Sequence, residues 1–243
     1  MAEAQPHEGS TAPLTSREIT QGILGLALST ILVPAMLFLS AGTLQWPEAW
    51  LYSLTYLGAA LGGRLIVLRK NPDTLRERAR ALSSDTTMPG DRLIVLLLGL
   101  LGPLVMMVAA GINFRFALPP EISPSVQAIG FILLLLGYLI AVWALGSNPF
   151  FSAVARIQTD RGQYVVATGP YRWIRHPGYA GGILGTLGAP LLLGSFWALI
   201  PATIIIVVYF IRTGFEDRML RKGLEGYQDY ALQTRYRIIP AIW

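Results

Sequence analysis

Six apolar runs divide this sequence, at 19–41, 46–68, 93–112, 126–145, 179–193 and 196–211, and they leave little chain for anything else. The first four are each about 20 residues long, enough for a helix to cross a hydrocarbon layer of roughly 30 Å. Composition agrees: 53% of the 243 residues are hydrophobic with glycine left out and only 14% are charged, where water-soluble domains carry about 25% charged residues. An aqueous globular domain is excluded, and so is a disordered chain, which needs the opposite balance. The last two runs meet at Gly194-Ser195, and so short a join makes them an antiparallel hairpin of marginal spans. The expected fold is an all-α polytopic membrane protein with about six transmembrane helices, the last two a tight hairpin.

The flanks of the runs add an orientation. Residues 1–18 are polar and rich in small residues and Pro, and read as a disordered cytosolic tail. Thr15 with Glu18 has the spacing of a capping box, which starts the first helix at about Ser16. The run 19–41 is longer than a signal-peptide core and lacks a basic flank, so it reads as a retained span. Trp46, Trp50, Tyr52 and Tyr56 open the second run like an interfacial belt. The net charge is +5, and of the 19 Lys and Arg residues every one but Arg115 falls on one side if the tail, the 69–92 loop and the 146–178 and 212–243 segments share it with Arg64. Basic loops stay cytoplasmic, so both termini and the two long polar segments are expected in the cytosol. Arg76, Glu77, Arg78 and Arg80 in the 71–92 loop read as topology determinants near anionic lipid. The chain then divides into the tail 1–18, a four-helix transmembrane region 19–145, and a region 146–243 that holds the hairpin, a C-terminal cytosolic segment and the polar motifs.

Two constellations in that last region carry chemistry. Thr168-Gly169-Pro170-Tyr171-Arg172-Trp173-Ile174-Arg175-His176-Pro177-Gly178-Tyr179 runs directly into the hairpin. Gly-Pro forces a turn, and Pro177 suits the first turn of a helix, which leaves His176 at the N-cap. Singly, His176 is an ordinary cap and Tyr171, Trp173 and Tyr179 ordinary interface aromatics. Together they offer a helix terminus, an imidazole and π faces that attract cations such as a sulfonium. The second constellation is Arg212-Thr213-Gly214-Phe215-Glu216-Asp217. Arg212 and Glu216 share a helix face, with Asp217 about 100° round. They form either a juxtamembrane salt bridge or the lining of a polar cavity. Gly178, Gly181, Gly182, Gly185 and Gly188 have small-xxx-small spacing and are expected to pack the hairpin closely.

Other chemistries fail for want of residues. There is no Cys and only one His outside the tail, so no zinc site and no metal centre is expected. No phosphate loop and no nucleophile elbow occurs. The basic residues are accounted for by topology, so no nucleic-acid partner is expected.

Thr168-Gly169-Pro170-Tyr171, Arg175-His176-Pro177-Gly178-Tyr179, Arg212 with Glu216-Asp217, Gly226-Tyr227 with Tyr230, and Arg237-Ile238-Ile239-Pro240 occur here in that order. The ordered set resembles the isoprenylcysteine carboxyl methyltransferase family and the wider group of integral-membrane phospholipid-type methyltransferases. The likeness covers about the last 100 residues, and the earlier spans match only as hydrophobic helices. It implies S-adenosyl-L-methionine as cofactor, bound by Gln158, Gln163, Tyr164, Val165, Val166, Tyr171, His176, Pro177, Gly178, Tyr179 and Glu216. It also implies that Arg212 addresses the substrate and that Arg212 and Glu216 are the catalytic pair. Eukaryotic members of the family carry His where this chain has Gln163, and the spacing from Gln158 is shorter here.

Methyl transfer from a sulfonium is an in-line displacement, which asks the protein for alignment and exclusion of water. A carboxylate acceptor is already ionised and needs no base, and Arg212 would hold it as a bidentate pair. An amine acceptor must lose a proton, to Glu216 or Asp217. The expected partners are the bilayer and a lipophilic or lipidated substrate. Carboxyl O-methylation is the first reading, with phospholipid amine N-methylation or small-thiol S-methylation as alternatives. A rival from another class is an NADPH-dependent membrane reductase of the sterol-reductase type, whose members read Arg-His-Pro-Asn-Tyr where this chain has Gly178. A non-enzymatic membrane protein is a third.

Overall fold

The computed structural model describes residues 30–71 and 90–243. The tail 1–18, the Thr15–Glu18 capping box, the first part of the run 19–41 and the cluster Arg76, Glu77, Arg78 and Arg80 lie outside the described residues. Within them the chain forms α1 (Thr30–Ala41), α2 (Pro47–Lys70), α3 (Asp91–Phe116), α4 (Pro124–Ser147), α5 (Pro177–Leu192), α6 (Leu199–Gly223) and α7 (Tyr227–Gln233), and no strand. Four of these, α2, α3, α4 and α6, are long and apolar enough to cross a membrane. The architecture is that of an all-helical polytopic membrane protein.

Local chemistry explains the helix ends. Prolines 47, 124 and 177 stand in the first turns of α2, α4 and α5, where a missing N–H costs nothing. Glu48 lies in the first turn of α2 and Arg69 and Lys70 in its last, as the helix dipole favours. α3 contains a π turn at Leu97–Leu101 immediately before Gly102-Pro103. A proline cannot donate to the helix ladder, and a wider turn is one way to absorb that loss.

The core runs between α1, the start of α2, α3, α4, α5 and the start of α6, around Leu37, Ala49, Met107, Leu134, Ala189 and Ala202. Trp46 is stacked on Phe114 at 4.1 Å between ring centroids. Large apolar side chains on the outside, among them Leu54, Leu65, Leu139 and Ile204, are exposed, as lipid-facing positions should be. One end of the bundle is pinned by a buried polar cluster. Ser195 Oγ donates to Asn113 Oδ1 at 2.8 Å and accepts the Ala198 N–H at 3.2 Å, while Asn113 Nδ2 donates to the Leu118 carbonyl at 2.8 Å.

Three details differ from the sequence reading. The last helix has 25 residues rather than the 16 of its apolar run, because it continues through Arg212 to Gly223, where side chains find protein partners instead of lipid. The hairpin turn extends past Gly194-Ser195 to the start of α6 at Leu199. The glycine stripe does not join the hairpin. A Cβ on Gly181 would stand 2.5 Å from the Gly137 carbonyl, one on Gly188 would stand 2.6 Å from the Gly130 carbonyl, and one on Gly137 would meet Gly185 N at 2.5 Å. The stripe therefore seats α5 on α4, and only Gly182 faces α6, at Tyr209. Small residues allow such backbone approach where lipid offers no hydrophobic drive.

Candidate active site

The opposite end of the bundle gathers the C-termini of α2, α4 and α6 and the N-termini of α3 and α5. Over it lies the segment from Asn148 to His176, which has two short 3₁₀ turns at Thr159–Arg161 and Gly169–Arg172 and is otherwise irregular. Its backbone is held by its own side chains. The buried Gln158 donates from Nε2 to the Phe150 carbonyl at 2.8 Å and accepts from Arg161 Nη1, and its N–H donates to Gln163 Oε1 at 2.7 Å. Arg161 Nη2 donates to the Pro149 carbonyl at 3.0 Å. Gly169 has a φ of +60°, and a Cβ there would stand 2.5 Å from Ser147 Oγ, so the Gly-Pro turn lies tight against the end of α4.

The centre of this end is Asp217, fully buried on α6. Arg175 Nε donates to its Oδ1 at 2.8 Å, Arg221 Nε and Arg237 Nε each donate to Oδ2 at 3.1 Å, and the Tyr227 hydroxyl donates to Oδ1 at 3.0 Å. Arg175 goes on to donate from Nη1 to the carbonyls of Thr234 and Arg235, each at 2.7 Å. Its N–H donates to the Tyr236 carbonyl at 2.9 Å, and that of His176 to the Arg237 carbonyl at 2.8 Å. Asp217 thus ties the start of α5, the end of α6, α7 and the C-terminal strand of coil together. Taken as a possible proton acceptor in the sequence, it is saturated by cations and a phenol.

Glu216, one residue earlier, points elsewhere. It is half-buried, accepts a short hydrogen bond from the Tyr179 hydroxyl, and lines a cavity. His176 is at the N-cap of α5 but its side chain makes no capping bond. Its ring stacks on Tyr179 at 5.8 Å with a 12° tilt. Its buried Nε2 has no hydrogen-bond partner, with Asp217 Oδ1 3.5 Å away.

The cavity together with its open mouth spans about 830 Å³. Of the residues singled out in the sequence, Gln158, Gln163, Tyr164, Val165, Val166, Tyr171, His176, Gly178, Tyr179 and Glu216 line it, and Pro177 and Arg212 do not. Phe150, Phe151, Val154 and Leu220, which sequence reasoning passed over, add to the wall, as do Tyr227 and Tyr230 of α7, which the sequence offered as part of the ordered motif set without a site role. Phe150 meets Tyr164 edge-on at 5.0 Å. Burial pushes the Tyr171 hydroxyl well above its ordinary range, burial and then the Asp217 charge do the same to Tyr227, and burial carries Tyr230 up to about 12. These hydroxyls stay neutral donors at any working pH. That of Tyr230 donates to the Tyr171 carbonyl at 2.6 Å.

Arg212 is buried one turn deeper. The salt bridge to Glu216, one of the two alternatives the sequence left open, is not formed, and Arg212 pairs with Asp91, the first residue of α3: Arg212 Nη2 lies 3.3 Å from Asp91 Oδ2 and donates to the Ala153 carbonyl at 2.7 Å. Asp91 Oδ2 also accepts the Ala155 N–H at 2.7 Å. The guanidinium carbon of Arg212 is 5.8 Å from the centroid of the Tyr179 ring, so it backs the ring that faces the cavity. The sequence offered only a faint signal for Asp91, an acid directly beside an apolar run.

With this geometry in view, comparison with known proteins is informative. Residues 126–225 match the model of the phospholipid methyltransferase family. That stretch, and not the whole chain, is similar to the family. It contains both polar constellations and the whole hairpin, while Arg237-Ile238-Ile239-Pro240 lies beyond it. The probable protein-S-isoprenylcysteine O-methyltransferases of Oryza sativa subsp. indica and subsp. japonica are each 30% identical over 110 residues, 44% of this chain and 57% of theirs. The lamin-B receptor of Drosophila melanogaster is 26% identical over 100 residues, 40% of this chain and 14% of that protein. The chain therefore spans little more than half the length of the rice relatives. The matched region comprises α4, the loop over the cavity, the α5–α6 hairpin and the joint to α7.

Proposed function

We propose that the protein transfers a methyl group from S-adenosyl-L-methionine to a lipophilic acceptor at the membrane, and that the acceptor atom is a carboxylate oxygen. The observation that carries this reading is the composition of the cavity wall. It brings the stacked His176 and Tyr179 rings, the Glu216 carboxylate and the 163–166 loop around one space, apolar and aromatic in most of its lining with a few convergent polar groups, as ligand pockets are. The residues suit the cofactor: π faces attract a sulfonium, and His176 Nε2 is a buried polar atom with no hydrogen-bond partner. When bound, S-adenosyl-L-methionine supplies an electrophilic methyl group on a cationic sulfur.

The chain's own residues bind and orient. The loop carrying Tyr164, Val165 and Val166 closes one side and limits water. Tyr171 and Tyr230 hold the Gly-Pro turn against α7. Arg212, through its contact with the Tyr179 ring, fixes that ring and with it Glu216. A direct hold on an acceptor would ask Arg212 to leave Asp91, so the geometry favours a positioning role for it. Among the described residues Glu216 is the only carboxylate lining the cavity, and Tyr179 already occupies one of its oxygens. An ionised carboxylate acceptor needs no base, which suits such a site. The similarity to the two rice proteins, probable protein-S-isoprenylcysteine O-methyltransferases, supports the same choice. The family model's name supports amine N-methylation as the second reading, in which Glu216 takes the proton.

Titration calorimetry of the purified protein tests the cofactor. Binding of S-adenosylhomocysteine supports a methyltransferase, binding of NADPH alone would favour a reductase, and binding of neither would overturn both. Membranes incubated with methyl-labelled cofactor then separate the acceptors: label released by base as volatile methanol reports an ester, and retained label an amine or thioether. The basic residues support a cytosolic cavity and cytosolic termini. A reporter fused after Trp243 should be cytosolic, and a signal from the other side would reverse that orientation.

A further inference from the structure

A second cavity, of about 800 Å³, lies between α2 and α4. Its wall is mainly apolar, built from residues such as Ala60, Val67, Ala141 and Leu145, and among the described residues the only charged group on it is Arg64. Phe151 lines this cavity and the proposed cofactor cavity alike. The two spaces therefore adjoin across one aromatic ring.

Arg64 is incompletely satisfied there. Its Nη2 lies 3.4 Å from Thr30 Oγ1, a weak contact, and its Nη1 is buried with no hydrogen-bond partner among the described residues. An orphan guanidinium donor in a largely apolar space is costly unless an anion meets it. The position along the helices supplies a direction. Both α2 and α4 end at the polar face, so Arg64, Val67, Leu145 and Phe151 mark its near end, and Tyr56 and Tyr138 the deep end. From Val67 to Tyr56 the helix rise of 1.5 Å per residue makes about 16 Å. Leu61, Leu65 and Leu68 on α2 and Leu139 and Trp143 on α4 are exposed on the outer faces of the same two helices, the apolar surface from which a lipid chain would have to enter.

Resting on the methyltransferase reading, we infer that the α2–α4 cavity is the acceptor subsite: it takes an amphiphile with one apolar chain ending in a carboxylate, Arg64 reads the carboxylate, and the edge of Phe151, which borders both spaces, is where the carboxylate oxygen meets the methyl carbon, the C–S bond breaking to leave the neutral thioether as the O–C bond forms. The chain lies between α2 and α4 toward Tyr56 and Tyr138. Methylation turns the anion into a neutral ester, which Arg64 no longer holds, so the same residue separates substrate from product.

The test is equilibrium binding to the full chain in nanodiscs, with hexadecanoate, its methyl ester and hexadecyl phosphate as probes. Unmutated protein should bind the acid more tightly than the ester by on the order of tenfold, the value of a charge-assisted hydrogen bond. Arg64→Gln should erase that difference, and Ala60→Phe should weaken acid and ester together by filling the chain's space. S-adenosylhomocysteine binding should persist in both variants, which reports their folding and keeps the cofactor reading separate. Equal affinity for acid and ester in unmutated protein overturns the proposal with no substitution involved. So does undiminished acid binding in Arg64→Gln. Tighter binding of hexadecyl phosphate than of the acid overturns the acceptor assignment and marks a lipid-anchoring site instead.

Discussion

Asp217→Asn isolates the buried charge at the polar end, because the substitution keeps size and removes only the negative charge. Asp217 is 0% exposed and the side chain of Arg175 is 2% exposed, so the variant leaves Arg175 as a buried cation without a counter-ion. Breaking such a pair costs about 3–5 kcal/mol. Arg221 and Arg237, whose side chains are 39% and 29% exposed, turn to water instead and lose about 0–1 kcal/mol each. The cost falls on what Asp217 joins, namely α7 and the coil at 234–243, which open from the bundle before α2–α4 do. Hydrogen exchange read by mass spectrometry on nanodisc-embedded protein should show amides at 227–233 exchanging about 10²–10³-fold faster, since every 1.4 kcal/mol is tenfold. Amides in the middle of α3 should keep their rates. The double variant Arg175→Met with Asp217→Leu removes both charges and should return most of the protection, as apolar replacements of buried pairs commonly do. Cofactor affinity should not return, because both residues hold His176 and Tyr227 at the cavity. Unchanged exchange at 227–233 in Asp217→Asn would refute the reasoning.

His176→Ala and Glu216→Ala should each weaken S-adenosylhomocysteine binding severely, and wild-type affinity by calorimetry in both would remove them from the cofactor site. Arg212→Lys should lower turnover and weaken S-adenosylhomocysteine binding together, because an ammonium cannot both meet Asp91 and back the Tyr179 ring; unchanged kcat and affinity would end its role. Asp91→Asn should lower turnover in the same way if Arg212 acts by position, whereas normal turnover there would mean that Arg212 needs no such anchor. Gly137→Leu should unfold the α4–α5 contact, since even a Cβ at 137 meets Gly185 N at 2.5 Å, and a folded, cofactor-binding Gly137→Leu protein would disprove the stripe's role.

The helices were legible because hydrocarbon imposes a length, and a run of about 20 apolar residues has few other uses. Their ends were less so. Hydrophobicity stops near Ile211, but α6 does not, because Arg212 meets Asp91 and Asp217 meets Arg175, partners remote in sequence. The partner of the glycine stripe was hidden for a related reason. A small-xxx-small pattern states that something approaches closely, and the hairpin neighbour was the nearest guess, whereas the matching small residues Gly130 and Gly137 are on α4. The loop at 148–178 stood out by its density of Gly, Pro and aromatics. Its scaffolding bonds from Gln158 and Gln163 did not, since local spacing cannot tell a side chain that reaches a ligand from one that holds its own backbone.

Glu216 and Asp217 show how neighbouring carboxylates acquire opposite duties. One step along a helix turns a side chain by about 100°, and here that turn moves a carboxylate from the cavity wall into a nest of guanidinium groups. Asp217 meets Arg175, Arg221, Arg237 and Tyr227, which leaves it no capacity for a ligand and every capacity to bind α5, α6 and α7 into one frame. Glu216 meets Tyr179 alone among the recorded hydrogen bonds, so its second oxygen remains for a ligand in the cavity. In lipid, where burying apolar surface gives helices little reason to associate, a saturated charge cluster at the polar end is a way to fix their depth. The frame and the site are therefore built from one helical turn, and a substitution at 217 alters the site without touching anything that enters it.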